Sequence, residues 1–101
     1  MNTLPILVPE ELVASFCRQN QIRKLSFFGS VLTPRFGPES DVDILVEFEV
    51  EVRPSLLTMA RLESGLSDLL GRKVDLRTAA ELSHYFRQEV VSTALPQYER
   101  S

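Results

Sequence analysis

Soft-metal ligands are almost missing from this 101-residue chain, which has one cysteine, Cys17, and one histidine, His84. A zinc site needs several such ligands close together and a disulfide needs two cysteines, so neither is available within the chain. Cys17 then reads as a small buried apolar residue. An excess of basic charge is missing too: the formal charge is -3, and broad capture of DNA or RNA needs a clustered basic face. Long apolar runs are also absent. None approaches the roughly 20 residues of a membrane span, and the opening MNTLPILVPEE has neither the basic start nor the apolar stretch of a signal peptide. These absences set aside membrane partners, disfavour nucleic acid and give a cytoplasmic expectation.

What remains is an ordinary globular composition, 44% hydrophobic and 25% charged, with no repeat, low-complexity segment or linker. The length suits one domain, spanning 1–101, with no room for a second substrate-binding domain.

Pro9, Glu10 and Glu11 suit the first turn of a helix, and Leu12, Val13, Phe16 and Cys17 give it one apolar face. Ile22 to Phe28 reads as a strand that stops at Gly29, with Leu25 and Phe27 on one face. Thr33-Pro34, Gly37-Pro38 and Glu39-Ser40 punctuate the loop that follows. Asp41 to Glu49 is the second strand: Val42, Ile44, Val46 and Phe48 claim one face, leaving Asp41, Asp43, Leu45 and Glu47 on the other. Ser55 is placed to cap a helix with Leu56, Met59, Leu62, Leu66, Leu69 and Leu70 on one stripe and Gly71 as its stop. Lys73 to Arg77 is a short third strand, with Val74 and Leu76 inward and Asp75 outward. Thr78-Ala79-Ala80-Glu81 matches a capping box that opens a helix breaking and restarting near Ser83 and ending before Pro96, after which the tail is polar. The expected fold is α/β: a small mixed sheet of at least three strands, helices mainly on one face, and the carboxylates on the open face.

Asp41 and Asp43, two positions apart on an extended backbone, lie about 6.5 to 7 Å apart on one face. Hard divalent cations take such oxygens, and magnesium is commonly held by one or two carboxylates together with substrate phosphates. Gly29-Ser30 supplies the matching half, because glycine lets a phosphate approach the backbone and serine offers an amide and a hydroxyl at a turn. The plain alternatives are a solvated strand edge for the aspartates, and for Asp75 a surface pairing with Arg72 or Arg77. His84 reads as a surface residue at a helix start.

Gly29-Ser30, nine intervening residues, then Ser40-Asp41-Val42-Asp43-Ile44-Leu45-Val46 resembles the signature of polymerase-beta-type nucleotidyltransferases, and GRKVDLRT around Asp75 resembles the strand carrying their third carboxylate. In length and order the chain is similar to the minimal branch, the antitoxin half of HEPN/MNT toxin-antitoxin pairs. The resemblance implies that Gly29 and Ser30 hold the nucleotide's terminal phosphates, with Ser40 beside them. It implies that Asp41, Asp43 and Asp75 are catalytic and bind magnesium, as two ions, and that Asp75 can act as base toward the acceptor. ATP is then the substrate, and the acceptor is a tyrosine hydroxyl of a HEPN RNase toxin, reached in a hetero-complex or oligomer. Where members often carry Arg-Gly after the Gly-Ser, this chain has Thr33-Pro34, with Arg35 as the substitute phosphate contact. Two other outcomes accompany this reading: neutralisation of the toxin by binding alone, and transfer to a small molecule or an RNA end.

Overall fold

The computed structural model describes residues 4–100. Along the chain run helix α1 (Glu10–Gln19), strand β1 (Ile22–Phe28), a 3₁₀ turn (Gly29–Leu32), β2 (Val42–Phe48), α2 (Leu56–Leu70), β3 (Val74–Arg77), a second 3₁₀ turn (Ala79–Glu81), α3 (His84–Thr93) and β4 (Leu95–Glu99). The sheet order is β3-β2-β1-β4. β1 is antiparallel to both β2 and β4, whereas β2 and β3 are parallel. A parallel pair needs a crossover, and α2 provides it.

The alternation read in β2 is present: Val42, Ile44 and Val46 enter the core with Leu25 and Phe27 of β1 and Val74 and Leu76 of β3. α1 covers this face through Val13 and Cys17, and α2 through Leu62, Leu66 and Leu70, spaced one helical turn apart. Cys17 is fully buried, and that burial pushes its thiol up to about 12, which leaves it unreactive at neutral pH. Two predicted core positions are corrected: Leu12 is 58% and Leu56 87% exposed. Both sit at the edge of their helical stripe, where apolar spacing cannot tell a core flank from solvent.

The termini of α2 follow the sequence closely. The Ser55 hydroxyl accepts from the Thr58 amide at 3.1 Å, and Gly71 closes the helix at φ 66°, in the left-handed region glycine enters without strain. The capping box at Thr78 and Glu81 forms around the second 3₁₀ turn, and α3 restarts after Ser83. The polar tail is a further correction. Leu95–Glu99 is an edge strand whose Pro96 lies opposite Ser26 of β1, and its Tyr98 packs against the core. Proline is compatible with an edge strand, which is why it did not prevent pairing here.

The outer edge of β3 is finished by side chains of α2. The Val74 amide donates to Ser67 Oγ at 3.0 Å and the Leu76 amide to Glu63 Oε2 at 2.8 Å. Both residues are buried, so these acceptors replace a neighbouring strand. Glu63→Ala is therefore expected to lower stability by about 1–3 kcal/mol in urea unfolding, with Glu63→Gln recovering most of it, because the amide keeps an acceptor.

Candidate functional site

The carboxylate face is assembled by register. Asp43 of β2 lies directly opposite Asp75 of β3 in the parallel pair. Neighbouring strands are about 4.8 Å apart, so the two side chains emerge together on the face away from the core. Asp41 stands just before β2 on the same side. Phe28 of β1 faces Asp43 across the antiparallel pair, which delivers Gly29 to the same place. Gly29 has φ 76°, and a Cβ added to it would collide with the Asp43 carboxylate. Two independent constraints thus require glycine there, one of backbone conformation and one of space.

Ser30 begins a turn tied down by Thr33. The Ser30 carbonyl accepts from both the amide and the hydroxyl of Thr33, each at 2.9 Å, while Thr33 Oγ1 accepts from the Arg35 amide at 3.2 Å. The departure from Arg-Gly at Thr33-Pro34 accordingly has a structural task of its own. Arg35 is exposed on the loop. Ser40 is engaged within the loop: its hydroxyl accepts from the Gly37 amide at 3.0 Å.

Sequence reasoning missed the residue that organises this loop. Arg72 donates to the carbonyls of Gly37 at 2.8 Å, Pro38 at 3.3 Å and Ser40 at 2.9 Å, and its guanidinium sits 4.5 Å over the Phe36 ring. The acceptors lie more than thirty residues upstream, so no local spacing could signal them. By this clamp, and by the Val42 amide donating to the Lys73 carbonyl at 2.8 Å, the chain is held as it enters β2 at Asp41. Lys73 Nζ is 4.0 Å from the Asp41 carboxylate, an exposed and weak pairing. Asp75 pairs with Arg77, Nε to Oδ1 at 3.0 Å, rather than with Arg72.

A cleft of about 500 Å³ opens over these groups, lined by Phe28, Asp43, Asp75, Arg77, Leu82 and Phe86 among others. α3 thereby borders the carboxylate face. A larger cleft of about 710 Å³, between the Glu49–Pro54 connection and the second 3₁₀ turn, holds none of the three aspartates. His84 is exposed at the start of α3, and Glu47 is paired with Arg23 at 2.6 Å.

The Asp43 carboxyl is pushed above the usual carboxylate range, first by its burial, then by the charges of Asp75 and Asp41, with Arg77 opposing. The site is therefore short of positive charge. Among the described residues no three His, Cys, Asp or Glu side chains converge as a metal cage. An all-oxygen pair that is short of positive charge nevertheless suits magnesium, which keeps several waters and shares its shell with phosphates.

Two expectations follow from this crowding. The raised proton affinity of Asp43 lowers stability as pH climbs above the ordinary carboxylate range, where the folded state must ionise it at a cost. Asp43→Asn should thus raise the thermal midpoint at pH 7 in metal-free buffer, and the gain should shrink on acidification toward pH 4, where the wild-type side chain is increasingly protonated. Gly29→Ala should lose about 1–2 kcal/mol from backbone strain alone, read by urea unfolding, and more from displacing Asp43.

The nucleotidyltransferase domain model matches residues 9–95 of the chain. The protein adenylyltransferase MntA of Thermococcus cleftensis is 49% identical over 55 residues, 54% of each protein. The chain spans about half the length of the first curated relatives it matches. A solved structure described as a minimal nucleotidyltransferase is 36% identical, with a TM-score of 0.71, covering 86% of this chain and 87% of that one. A tri-AMPylated Shewanella oneidensis HEPN toxin in complex with MNT antitoxin has a chain of the same fold, with a TM-score of 0.65 at 22% identity over 90% of this chain and 70% of that one. With the family model running from Pro9 to Leu95, through both Gly29-Ser30 and all three aspartates, the chain belongs to the nucleotidyltransferase domain family.

Proposed function

We propose that this protein transfers AMP from ATP to a tyrosine hydroxyl of a HEPN RNase toxin and so acts as its antitoxin in the cytoplasm. The observation that carries the reading is the parallel pairing of Asp43 with Asp75, with Gly29 fitted against the Asp43 carboxylate. That arrangement sets a glycine turn beside a carboxylate face, a combination that suits a reaction between a nucleotide and a hydroxyl. The relatives' adenylyltransferase name and the AMPylated HEPN toxin support the choice of AMP and of acceptor.

In this reading the Gly29 and Ser30 backbone receives the terminal phosphates, with Arg35 reaching them from the loop. Ser40, whose hydroxyl is taken by Gly37, contributes by shaping the wall of the nucleotide site. Asp41 and Asp43 would hold magnesium, and Asp75 would complete the set. Held there, magnesium would supply the positive charge that the carboxylates lack. The acceptor oxygen forms a bond to the α phosphorus, the bond to the bridging oxygen breaks, and pyrophosphate leaves. In this reading Asp75, on the neighbouring strand, takes the hydroxyl proton.

The test is co-expression with a HEPN partner and labelled ATP. Wild-type protein should label the partner, and the double variant Asp41→Asn, Asp43→Asn should fall below roughly 1% of that rate, since loss of charge stabilisation of several kcal/mol removes at least a hundredfold. Undiminished labelling by the double variant would refute the assignment of the site. A double variant that fails to label yet still protects cells would instead show neutralisation by binding alone.

A further inference from the structure

Arg77 is a charged group in the cleft that the proposed reaction leaves unused. It follows Asp75 by two positions on β3, so both side chains rise from the same face of the strand. The guanidinium turns back onto the carboxylate, with Nε 3.0 Å from Oδ1 and a terminal nitrogen 3.4 Å from Oδ2. Both Asp75 oxygens therefore face the guanidinium. A carboxylate held this way cannot give the same lone pairs to a cation or to a hydroxyl proton until the guanidinium moves.

The surroundings say what could move it. Arg77 is the cationic residue in the lining of the carboxylate cleft, where it faces Asp43 and Asp75. The other acid there, Glu81, is committed to the capping box through the Thr78 amide at 3.0 Å and hydroxyl at 3.2 Å. The Arg77 side chain is 46% exposed, and an ion pair this open to water is easily exchanged. A guanidinium fork fits a phosphate as well as a carboxylate. A triphosphate entering the cleft offers it a partner of higher charge.

We propose that Arg77 is a nucleotide-phosphate contact held in reserve by Asp75: the arriving phosphates take the guanidinium, and its departure frees Asp75 for the cation and the acceptor hydroxyl. Nucleotide binding and exposure of the third carboxylate are then one event, which keeps the site incomplete until substrate is in place. This rests on the nucleotidyltransferase reading given above.

The proposal predicts effects of opposite sign from one substitution. In Arg77→Gln, manganese binding without nucleotide, followed by electron paramagnetic resonance of the free ion, should tighten about threefold or more, because Asp75 is released. Binding of a non-hydrolysable ATP analogue with magnesium, followed by calorimetry, should weaken about tenfold or more, the usual scale for one lost charge-assisted contact. Arg77→Lys, which keeps the charge without the fork, should shift both in the same directions by less. Adding Asp75→Asn to Arg77→Gln should erase the gain in manganese affinity. A loss or no change in manganese affinity, or an unchanged affinity for the analogue, overturns the proposal while leaving the nucleotidyltransferase reading intact. Wild-type protein that takes up neither manganese nor the analogue overturns both.

Discussion

The parallel pairing of β2 with β3 is the constraint on which the rest of the molecule depends. It sets Asp43 beside Asp75, and no antiparallel return could do so without a different connection between them. The crossover it requires is α2, whose Leu62, Leu66 and Leu70 then become the main cover of the core face. The same helix supplies Glu63 and Ser67 as acceptors for the outer amides of β3. One helix thus closes the core, fixes the strand and indirectly aims the third carboxylate. A slip of one residue would send Asp75 inward and Leu76 outward, a change the buried face cannot tolerate.

The two faces of the sheet solve opposite problems. On the core face, apolar burial rewards close packing, and Val42, Ile44, Phe27 and Leu66 are all fully enclosed. On the other face, like charges crowd together and the ionised state of Asp43 is disfavoured. That second arrangement costs stability, and the core opposite it supplies what is needed to hold it. Gly29 shows the same division at one residue: it is the chain's way of ending β1, and its missing side chain is the room that Asp43 occupies. α3, which has no buried residue, borders the carboxylates without sealing them in.

Local pattern made much of this legible. Alternation in β2 separated core from carboxylates, and Gly-Ser followed by the Asp-x-Asp pair named residues that the fold brings together. Ser55, Gly71 and the Thr78 capping box declared their turns because caps act within a few residues. What stayed hidden acts over longer separations. Glu63 reaches an amide thirteen residues away and Arg72 reaches carbonyls more than thirty away, and neither has a signature that differs from an ordinary surface charge. β4 was obscured by its proline and short length, and only its position beside β1 makes it a strand. Leu12 and Leu56 show the converse error, apolar side chains on schedule in a helix but beyond the reach of the sheet.

The loop between Gly29 and Asp41 carries Thr33-Pro34, and its geometry explains how that pair is accommodated. Thr33 closes the turn on the Ser30 carbonyl, doing with a hydroxyl and an amide what a tighter turn residue would do with backbone alone. Arg72 then gathers Gly37, Pro38 and Ser40 from the far side, so both ends of the loop are tied before any ligand arrives. With the ends tied, Arg35 is exposed on the loop and Arg77 lines the carboxylate cleft. The turn after Gly29 is therefore closed by the contacts of Thr33, without a glycine at position 34.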